Sequence, residues 1–522
     1  MYYLNTDGPV KMFGMVLRDE IYVDKSLLAQ KVSQSIGTWN RFICITRPRR
    51  FGKTMNANML GAYYTKGFDT SSLFTSLALS QTPEYKKHLN CYNVVHIDFS
   101  ARPDFCDCYE DYIRDILSSL RSDLANAYPA LKGREYSSIS RMFQETGDSF
   151  IFIFDEWDSV FCEPYMTRQN KEAFLRFLKG LLKDKPYVAL AYMTGVLPIA
   201  KYSSGSELNM FREYNFMNDQ VFKTYFGLTA QEVKILCDTH KGVSYEELKQ
   251  WYDGYYMSDS QGLFNPRSVC CALAEGVCRN YWTETGPMNE IADCIEHNVS
   301  EVREDIVHMV AGIPIEIQLD GYSAAEQSLT HRNEILSAMV VYGFLSYNDG
   351  VLRIPNHELM EKFQQVLSRD SMGEVKQIVE TSKKMLEATL AMDEQTVAHI
   401  LEEVHDREIP FLVYNDENAL SCVITLCYLY ARKDYRIERE EKTGKGYCDY
   451  IFYPKKAHKP AILLELKVNE SPENALMQIH SKGYLQKAAD CGEVLLVGIG
   501  YDKKQKLHQC RIEKQTPGHT LV

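Results

Sequence analysis

The chain has 522 residues, 45% of them hydrophobic and 25% charged, with a formal net charge of -12. That length exceeds one ordinary core and calls for roughly three domains of about 150 residues each, and the balance of apolar and charged residues excludes widespread disorder. The acidic total excludes a protein that coats nucleic acid through bulk charge, but Phe411 to Val522 carries 17 Lys and Arg against 14 Asp and Glu while the rest carries 41 against 56, so only the C-terminal part suits a phosphate backbone.

At the start, Asp7, Gly8 and Pro9 precede any apolar run, which is not the layout of a signal peptide. The longest apolar stretches, Val188 to Ala200 and Val423 to Tyr430, are of core length rather than membrane length. Fifteen cysteines, odd in number and without repeated spacing, read as reduced thiols, and a cytoplasmic protein is expected. Neither Cys106 with Cys108 nor Cys270, Cys271 and Cys278 has a second half-site at zinc spacing.

Arg41 to Thr46 reads as a strand, Thr54 to Tyr64 as a helix, and Asn93 to Phe99, Ser149 to Phe154 and Tyr187 to Met193 as further strands. Strands separated by helical segments predict an α/β fold with a parallel sheet covered on both faces. Between the first strand and its helix lies Arg47-Pro48-Arg49-Arg50-Phe51-Gly52-Lys53-Thr54. The second half of a phosphate-binding loop is intact here, with a helix N-terminus to add its dipole. Lys53 is expected to reach the β and γ phosphates of ATP and the Thr54 hydroxyl to complete a Mg²⁺ site. Arg47 stands where the loop pattern asks for its first glycine, and Gly-Lys-Thr alone also suits an ordinary surface loop.

Ile151 to Glu156 is an apolar strand ending in two carboxylates. Asp155 is the expected organiser of Mg²⁺ and Glu156 the activator of water; the blander reading is a buried strand with a helix-capping Asp155. Ala189 to Met193 ends at Thr194-Gly195, which puts Thr194 where it can sense the γ-phosphate. The order and spacing of the three segments agree with one nucleotide site.

From about Thr229 to Leu367 the pattern is mainly helical, with Trp251, Tyr252, Tyr255, Tyr256 and Trp282 as packing aromatics. A helix over Arg332 to Tyr342, a hairpin over Gly343 to Ile354 turning at Asn348, Asp349 and Gly350, and a helix after Pro355 suggest a small winged-helix unit, either a DNA reader or a spacer or lid. Ser371 to His405 reads as a charged amphipathic connector.

The last hundred residues run as a helix over Glu417 to Arg432, strands over Tyr435 to Glu440, Tyr447 to Tyr453 and Ala461 to Val468, a helix over Glu473 to Ala489 and a strand over Glu493 to Ile499. Residues two apart on a strand share a face, so Glu465 and Lys467 converge while Leu466 packs inward. Asp449 and Glu465, with Glu417 as a third ligand, are candidates to bind Mg²⁺ or Mn²⁺, which polarises a phosphodiester and lowers the pKa of an attacking water. Lys467 would orient that water and offset the developing charge, and Gln478, Lys482 and Tyr484 would position the nucleic-acid backbone. A solvated strand edge with an i, i+2 ion pair is the alternative. No catalytic serine or cysteine constellation competes.

Tyr22-Val23-Asp24-Lys25-Ser26, Thr46 to Thr54 and Asn58-Met59-Leu60, together with Trp251-Tyr252-Asp253-Gly254-Tyr255 and Asn265-Pro266-Arg267-Ser268, closely resemble the bacterial AAA-ATPase-like family that carries a C-terminal PD-(D/E)XK nuclease-superfamily domain. The resemblance runs over nearly the whole chain. It implies an ATPase domain over 1–228, a helical lid and winged-helix-like region over 229–370, a helical connector over 371–409 and a nuclease-like domain over 410–522, whose helix, three strands, helix and strand match the order of that superfamily. An arginine at the position of Arg47 is usual in this family. Arg49 and Arg50, flanking Phe51 in the cofactor loop, either pair with phosphate or solvate the loop. Arg212 is a candidate arginine finger, with an ordinary surface arginine as the blander reading. The expected function is an ATP-binding ATPase coupled to a Mg²⁺-dependent nuclease that cleaves DNA under nucleotide control, with RNA also open as substrate. The alternative is a nucleotide-dependent switch that binds nucleic acid or a protein partner through an inactive nuclease-like domain. A homo-oligomer is compatible with an AAA-like module.

Overall fold

Strands buried at every position need cover on both faces, and Phe42–Thr46, Phe150–Asp155 and Val188–Gly195 are such strands. The computed structural model describes the chain except residues 1, 105, 200–206, 218, 257–261, 283–299, 311, 320–330, 368–373, 408–422, 440–448, 456–458, 482–487, 489–491, 506 and 516–522. It divides into two units, Met1–Cys294 with Glu316–Leu359 and Ile295–Ile315 with Met360–Val522.

In the first unit, β1 (Phe42–Thr46), β2 (Asn93–Asp98), β3 (Phe150–Asp155), β4 (Val188–Gly195) and β5 (Arg212–Tyr214) form one sheet in the order β2-β3-β4-β1-β5. All four pairings are parallel. Alternation divides each strand between two cores: Phe150, Phe152 and Phe154 enter one, Ile151 and Ile153 the other. Helices α1 (Gly8–Val16) and α2 (Lys53–Tyr64) cover the isoleucine face. Helices α3 (Tyr109–Ala127) and α4 (Arg168–Leu182) cover the phenylalanine face, α3 through Tyr112, Ile116, Leu120 and Leu124 at helical spacing. The outer edge of β2 is paired by the N-terminal segment, where the His96 and Asn5 N–H groups donate to Tyr3 O and Val94 O at 2.9 and 2.8 Å. The Asp123 carboxylate on α3 secures that segment by accepting from the N–H groups of Tyr2, Tyr3 and Leu4 at 2.7 to 3.0 Å.

Beyond the sheet come α5 (Ala230–Thr239) and α6 (Pro266–Glu275). The latter begins where Pro266 needs no N–H partner and the Asn265 side chain accepts from Ser268 N–H, and it ends at Gly276. The elements expected further on are present as α7 (Arg332–Val341), the antiparallel pair β6 (Ser346–Asn348) and β7 (Val351–Arg353), and α8 (His357–Leu367).

In the second unit, α9 (Glu374–Leu390) and α10 (Glu394–Arg407) precede β8 (Tyr435–Arg439), β9 (Tyr450–Pro454), β10 (Ala461–Val468), α11 (Pro472–Ser481), β11 (Val494–Asp502) and β12 (Leu507–Gln515). The sheet runs β8-β9-β10-β11-β12, with β10 and β11 parallel and the other neighbours antiparallel. The stretch expected to be a connector is instead part of this unit: Met385, Leu386, Val397, Ile400 and Leu401 share a core with Ile462, Leu464 and Leu466 of β10. The charged surface of these helices had concealed an apolar stripe. Strand β12 also lies beyond the elements expected. The helix expected over Glu417 to Arg432 begins outside the described residues, which are helical over 423–427. No described helix is long and apolar enough to cross a membrane.

Two candidate active sites

The turn from β1 into α2 is shaped by two left-handed residues, Arg50 with φ 73° and Gly52 with φ 85°. Gly52 precedes the first turn of α2, where left-handed backbone favours glycine. Lys53, 3% exposed, donates from Nζ to the carbonyls of Arg47 and Pro48, each at 3.2 Å, and lies 3.5 Å from Glu156 Oε1. An ammonium held by the loop's own carbonyls and one carboxylate can exchange those partners for phosphate oxygens.

Asp155 ends β3 in a buried position, and its Oδ1 accepts from the Thr194 hydroxyl at the end of β4. Burial raises its carboxyl to about 6 against the opposing effect of the Thr194 and Thr54 hydroxyls. Its Oδ2 is buried without a hydrogen-bond partner among the described residues. A carboxylate oxygen in that state is of the hard-donor type that a divalent cation accepts. Glu156 follows in left-handed backbone, φ 49°, which turns its side chain to the cavity. Behind it Gly195 is fixed by close approach: a Cβ there would stand 2.6 Å from Trp157 and Asp158.

A cavity of about 740 Å³ joins these groups, lined by Arg49, Arg50, Phe51, Gly52, Lys53, Thr54 and Glu156 and also by apolar residues such as Phe13, Ile21, Val23 and Leu228. Charged groups and apolar surface within one cavity suit a phosphorylated ligand with an apolar group. Asp155 and Thr194 lie behind the cavity wall. Thr194, expected to sense a γ-phosphate, is fully buried and donates its hydroxyl to Asp155.

Arg47 is also turned inward. Its guanidinium is fully buried, pairs with Asp219 and donates to Thr46 O and Tyr214 O at 2.8 and 2.9 Å. Asp219 accepts in addition from the N–H groups of Val221 and Phe222. The side chain in the first-glycine position thus joins the start of the loop to β5 and the segment after it. Arg212 is exposed on β5 over the Tyr214 ring and does not line the cavity. Arg267, in the first turn of α6, does line it. Arg267 is not among the residues expected at the site; the signal available was an arginine directly after the helix-starting Asn265-Pro266 pair.

In the second unit the alternation of β10 positions the other site. Ile462, Leu464 and Leu466 enter one core and Ala461 and Leu463 the other, beneath Leu476 and Ile479 of α11. Glu465 and Lys467 continue the second face. Tyr450 pairs with Leu464, so Asp449 meets Glu465: Asp449 N–H donates to Glu465 Oε2 at 3.2 Å, and Asp449 Oδ2 accepts from Leu466 N–H at 2.7 Å. Lys467 Nζ reaches Glu465 Oε1 at 3.1 Å and the Gln478 amide donates to the same oxygen. Burial, with the Asp449 charge second, raises Glu465 to about 7 while Lys467 opposes. Two carboxylates held together at a cost to the charge of Glu465 form a donor set that a hard divalent cation fits. Asp449, Glu465, Lys467 and Gln478 are therefore brought together. Glu417, Lys482 and Tyr484 lie outside the described residues, among which no group of three metal-ligating side chains converges.

Residues 11–204 match the family model of a predicted AAA-ATPase, and residues 415–510 match that of the PD-(D/E)XK nuclease superfamily. No curated protein matches the chain. Among solved structures, the Walker-type ATPase of Pyrococcus abyssi is similar at 13% identity over 66% of this chain and 97% of that one, with a TM-score of 0.34. The ORC2 protein of Aeropyrum pernix, in ADPNP and ADP complexes, is similar at 11% identity over 67% and 96%, with a TM-score of 0.32. The ORC1 protein of Aeropyrum pernix in complex with DNA is similar at 11% identity over 68% and 96%, with a TM-score of 0.23. Likeness of that degree assigns none of those ligands to this chain.

Proposed function

We propose that this chain, whose first domain is of the predicted AAA-ATPase family and whose last is of the PD-(D/E)XK nuclease superfamily, binds and hydrolyses ATP at the Lys53 cavity and cleaves DNA at the Asp449 and Glu465 cluster under nucleotide control. The observation that carries the reading is the convergence of Asp449, Glu465, Lys467 and Gln478 at one end of the second sheet. A structural ion pair has no need of a second carboxylate at that position.

At the first site Lys53 exchanges its loop carbonyls for the β and γ phosphates, and Glu156 accepts the proton of the attacking water. Thr54 and Asp155 would hold Mg²⁺, which supplies charge neutralisation for the phosphates. Thr194 keeps Asp155 oriented. At the second site Asp449 and Glu465 would hold Mg²⁺ or Mn²⁺, which lowers the pKa of a bound water. Lys467 orients that water and balances charge on the phosphate oxygens, and Gln478 fixes the rotamer of Glu465.

One observation favours a nucleotide-dependent switch that binds through an inactive domain: both Glu465 oxygens already accept hydrogen bonds within the chain. Labelled single- and double-stranded DNA and RNA, incubated with Mg²⁺ or Mn²⁺ and with or without ATP, decide between the two. Cutting that is lost in Lys467→Ala and altered in Lys53→Ala supports the nuclease; ATP-sensitive binding without product supports the switch.

A further inference from the structure

We infer that Arg50, carried by the phosphate loop itself, reaches the γ-phosphate of the bound triphosphate and, with Arg267 on the same cavity, completes the hydrolytic charge within one chain, so that turnover needs no second copy. This rests on the reading of the first site as an ATPase.

The first support is the backbone. Arg50 adopts φ 73°, a conformation that L side chains avoid and glycine accepts. The neighbouring residue explains how it is held: Phe51 is buried to 1% exposure, with its ring 5.4 Å from that of Phe216 and 5.2 Å from that of Tyr255. With Phe51 anchored inward on one side and Gly52 opening the helix on the other, the left-handed turn directs Arg50 to the cavity wall. Strain retained in this way is found where a side chain has a task.

The second support is charge. Arg49, Arg50 and Arg267 line the same cavity as Lys53. Burial first, and then the charges of Arg267 and Arg49, depress the proton affinity of Arg50. Asp19, Asp98 and Glu156 also line the cavity, so five cationic side chains, Lys25 among them, stand against three carboxylates; that excess suits a polyanion, and a triphosphate carries more negative charge at its γ end than Lys53 alone can meet.

In the step this serves, the water oxygen bonds to the γ-phosphorus as the bond from that phosphorus to the β–γ bridging oxygen breaks. ADP leaves with the electron pair, and the proton of the water passes to Glu156. Negative charge grows on the γ oxygens and the bridge, where a guanidinium accelerates hydrolysis by on the order of 10³-fold or more in other phosphate-transfer sites.

The experiment compares wild type, Arg50→Gly and Arg267→Gln in ATP hydrolysis, in binding of ADP and of a non-hydrolysable ATP analogue, and in thermal unfolding. Glycine suits the backbone at this position, so Arg50→Gly should unfold at the same or a higher temperature while hydrolysis falls by about 10²-fold or more. Its preference for the triphosphate analogue over ADP should fall while ADP affinity holds, and Arg267→Gln should lose the same preference. Wild-type activity per molecule should stay constant across about 10 nM to 10 μM protein, as one-chain turnover requires. Activity that climbs with concentration, an Arg50→Gly chain that hydrolyses at the wild-type rate, or equal losses for ADP and the analogue would overturn the inference while leaving the ATPase reading intact. A wild type that binds neither nucleotide overturns both.

Discussion

Replacing either member of the buried Arg47 and Asp219 pair should destabilise the first unit, and by unequal amounts. Both side chains are fully buried, and breaking such a pair from one side costs about 3–5 kcal/mol because the other charge remains without its partner. In Arg47→Met the Asp219 carboxylate keeps the N–H groups of Val221 and Phe222 at 2.7 and 2.9 Å, which places the loss near ~3 kcal/mol. In Asp219→Ala the guanidinium keeps, among the described residues, the Thr46 and Tyr214 carbonyls and the Phe226 ring, 5.2 Å away, and a guanidinium cannot shed its proton as a carboxylate can take one up, so the loss should approach ~5 kcal/mol. The double variant Arg47→Met, Asp219→Asn removes both charges and should recover to within about 2 kcal/mol of the parent. Tryptophan fluorescence during urea unfolding is the assay, since Trp39, Trp157, Trp251 and Trp282 are the four tryptophans of the chain and all lie before Cys294. A loss below about 1 kcal/mol in Asp219→Ala, or a double variant as unstable as the sum of its singles, would refute the reasoning.

Burial raises Glu213 on β5 from its ordinary 4.5 to about 7. A carboxyl with a raised folded pKa contributes stability that is complete below about pH 4.5 and lost as the pH rises through about 7, so Glu213→Gln should flatten that decline and stabilise the first unit at pH 8 by about 1–2 kcal/mol in the same fluorescence assay. Gly195→Ala brings a methyl to 2.6 Å from Trp157 and Asp158; it should cost about 1–3 kcal/mol in urea unfolding and weaken ATP binding, measured by calorimetry, by displacing the turn that carries Asp155 and Glu156. In the second unit, Gly498→Ala sets a Cβ 2.3 Å from the Pro472 carbonyl, which should move α11 and its Gln478 away from Glu465. Metal-dependent cutting at the wild-type rate would count against that role for α11.

Four strands of each sheet were legible because they are short apolar runs bounded by turns, a pattern that needs no partner to be recognised; β5, only Arg212–Tyr214, has no such run. Asp155, Glu156, Glu465 and Lys467 were legible for a related reason: each ends or continues such a run, so strand periodicity alone sets its direction. The task of Arg47 was not, because its partner Asp219 is 172 residues away and an arginine in a phosphate loop suggests phosphate. The hydrogen bond from Thr194 to Asp155 was equally hidden, since the two residues stand 39 apart on different strands. Strand β12 escaped notice because its inward positions are His508, Cys510 and Ile512, and two of those three residues do not announce an apolar face. The helices α9 and α10 carry enough charge to pass for a linker until the stripe of Met385, Val397 and Leu401 is seen against a sheet.

The alternation along β10 has a consequence for how this protein can vary. Leu463 and Glu465 share a face, and Leu464 and Leu466 share the other, so inserting or deleting one residue here would invert core and chemistry together. Length changes within the strand are thereby closed to selection even where each individual side chain could be exchanged. Diversity among functional descendants of this sequence should therefore take the form of substitutions along β10, with gains and losses of residues confined to the turns at its ends.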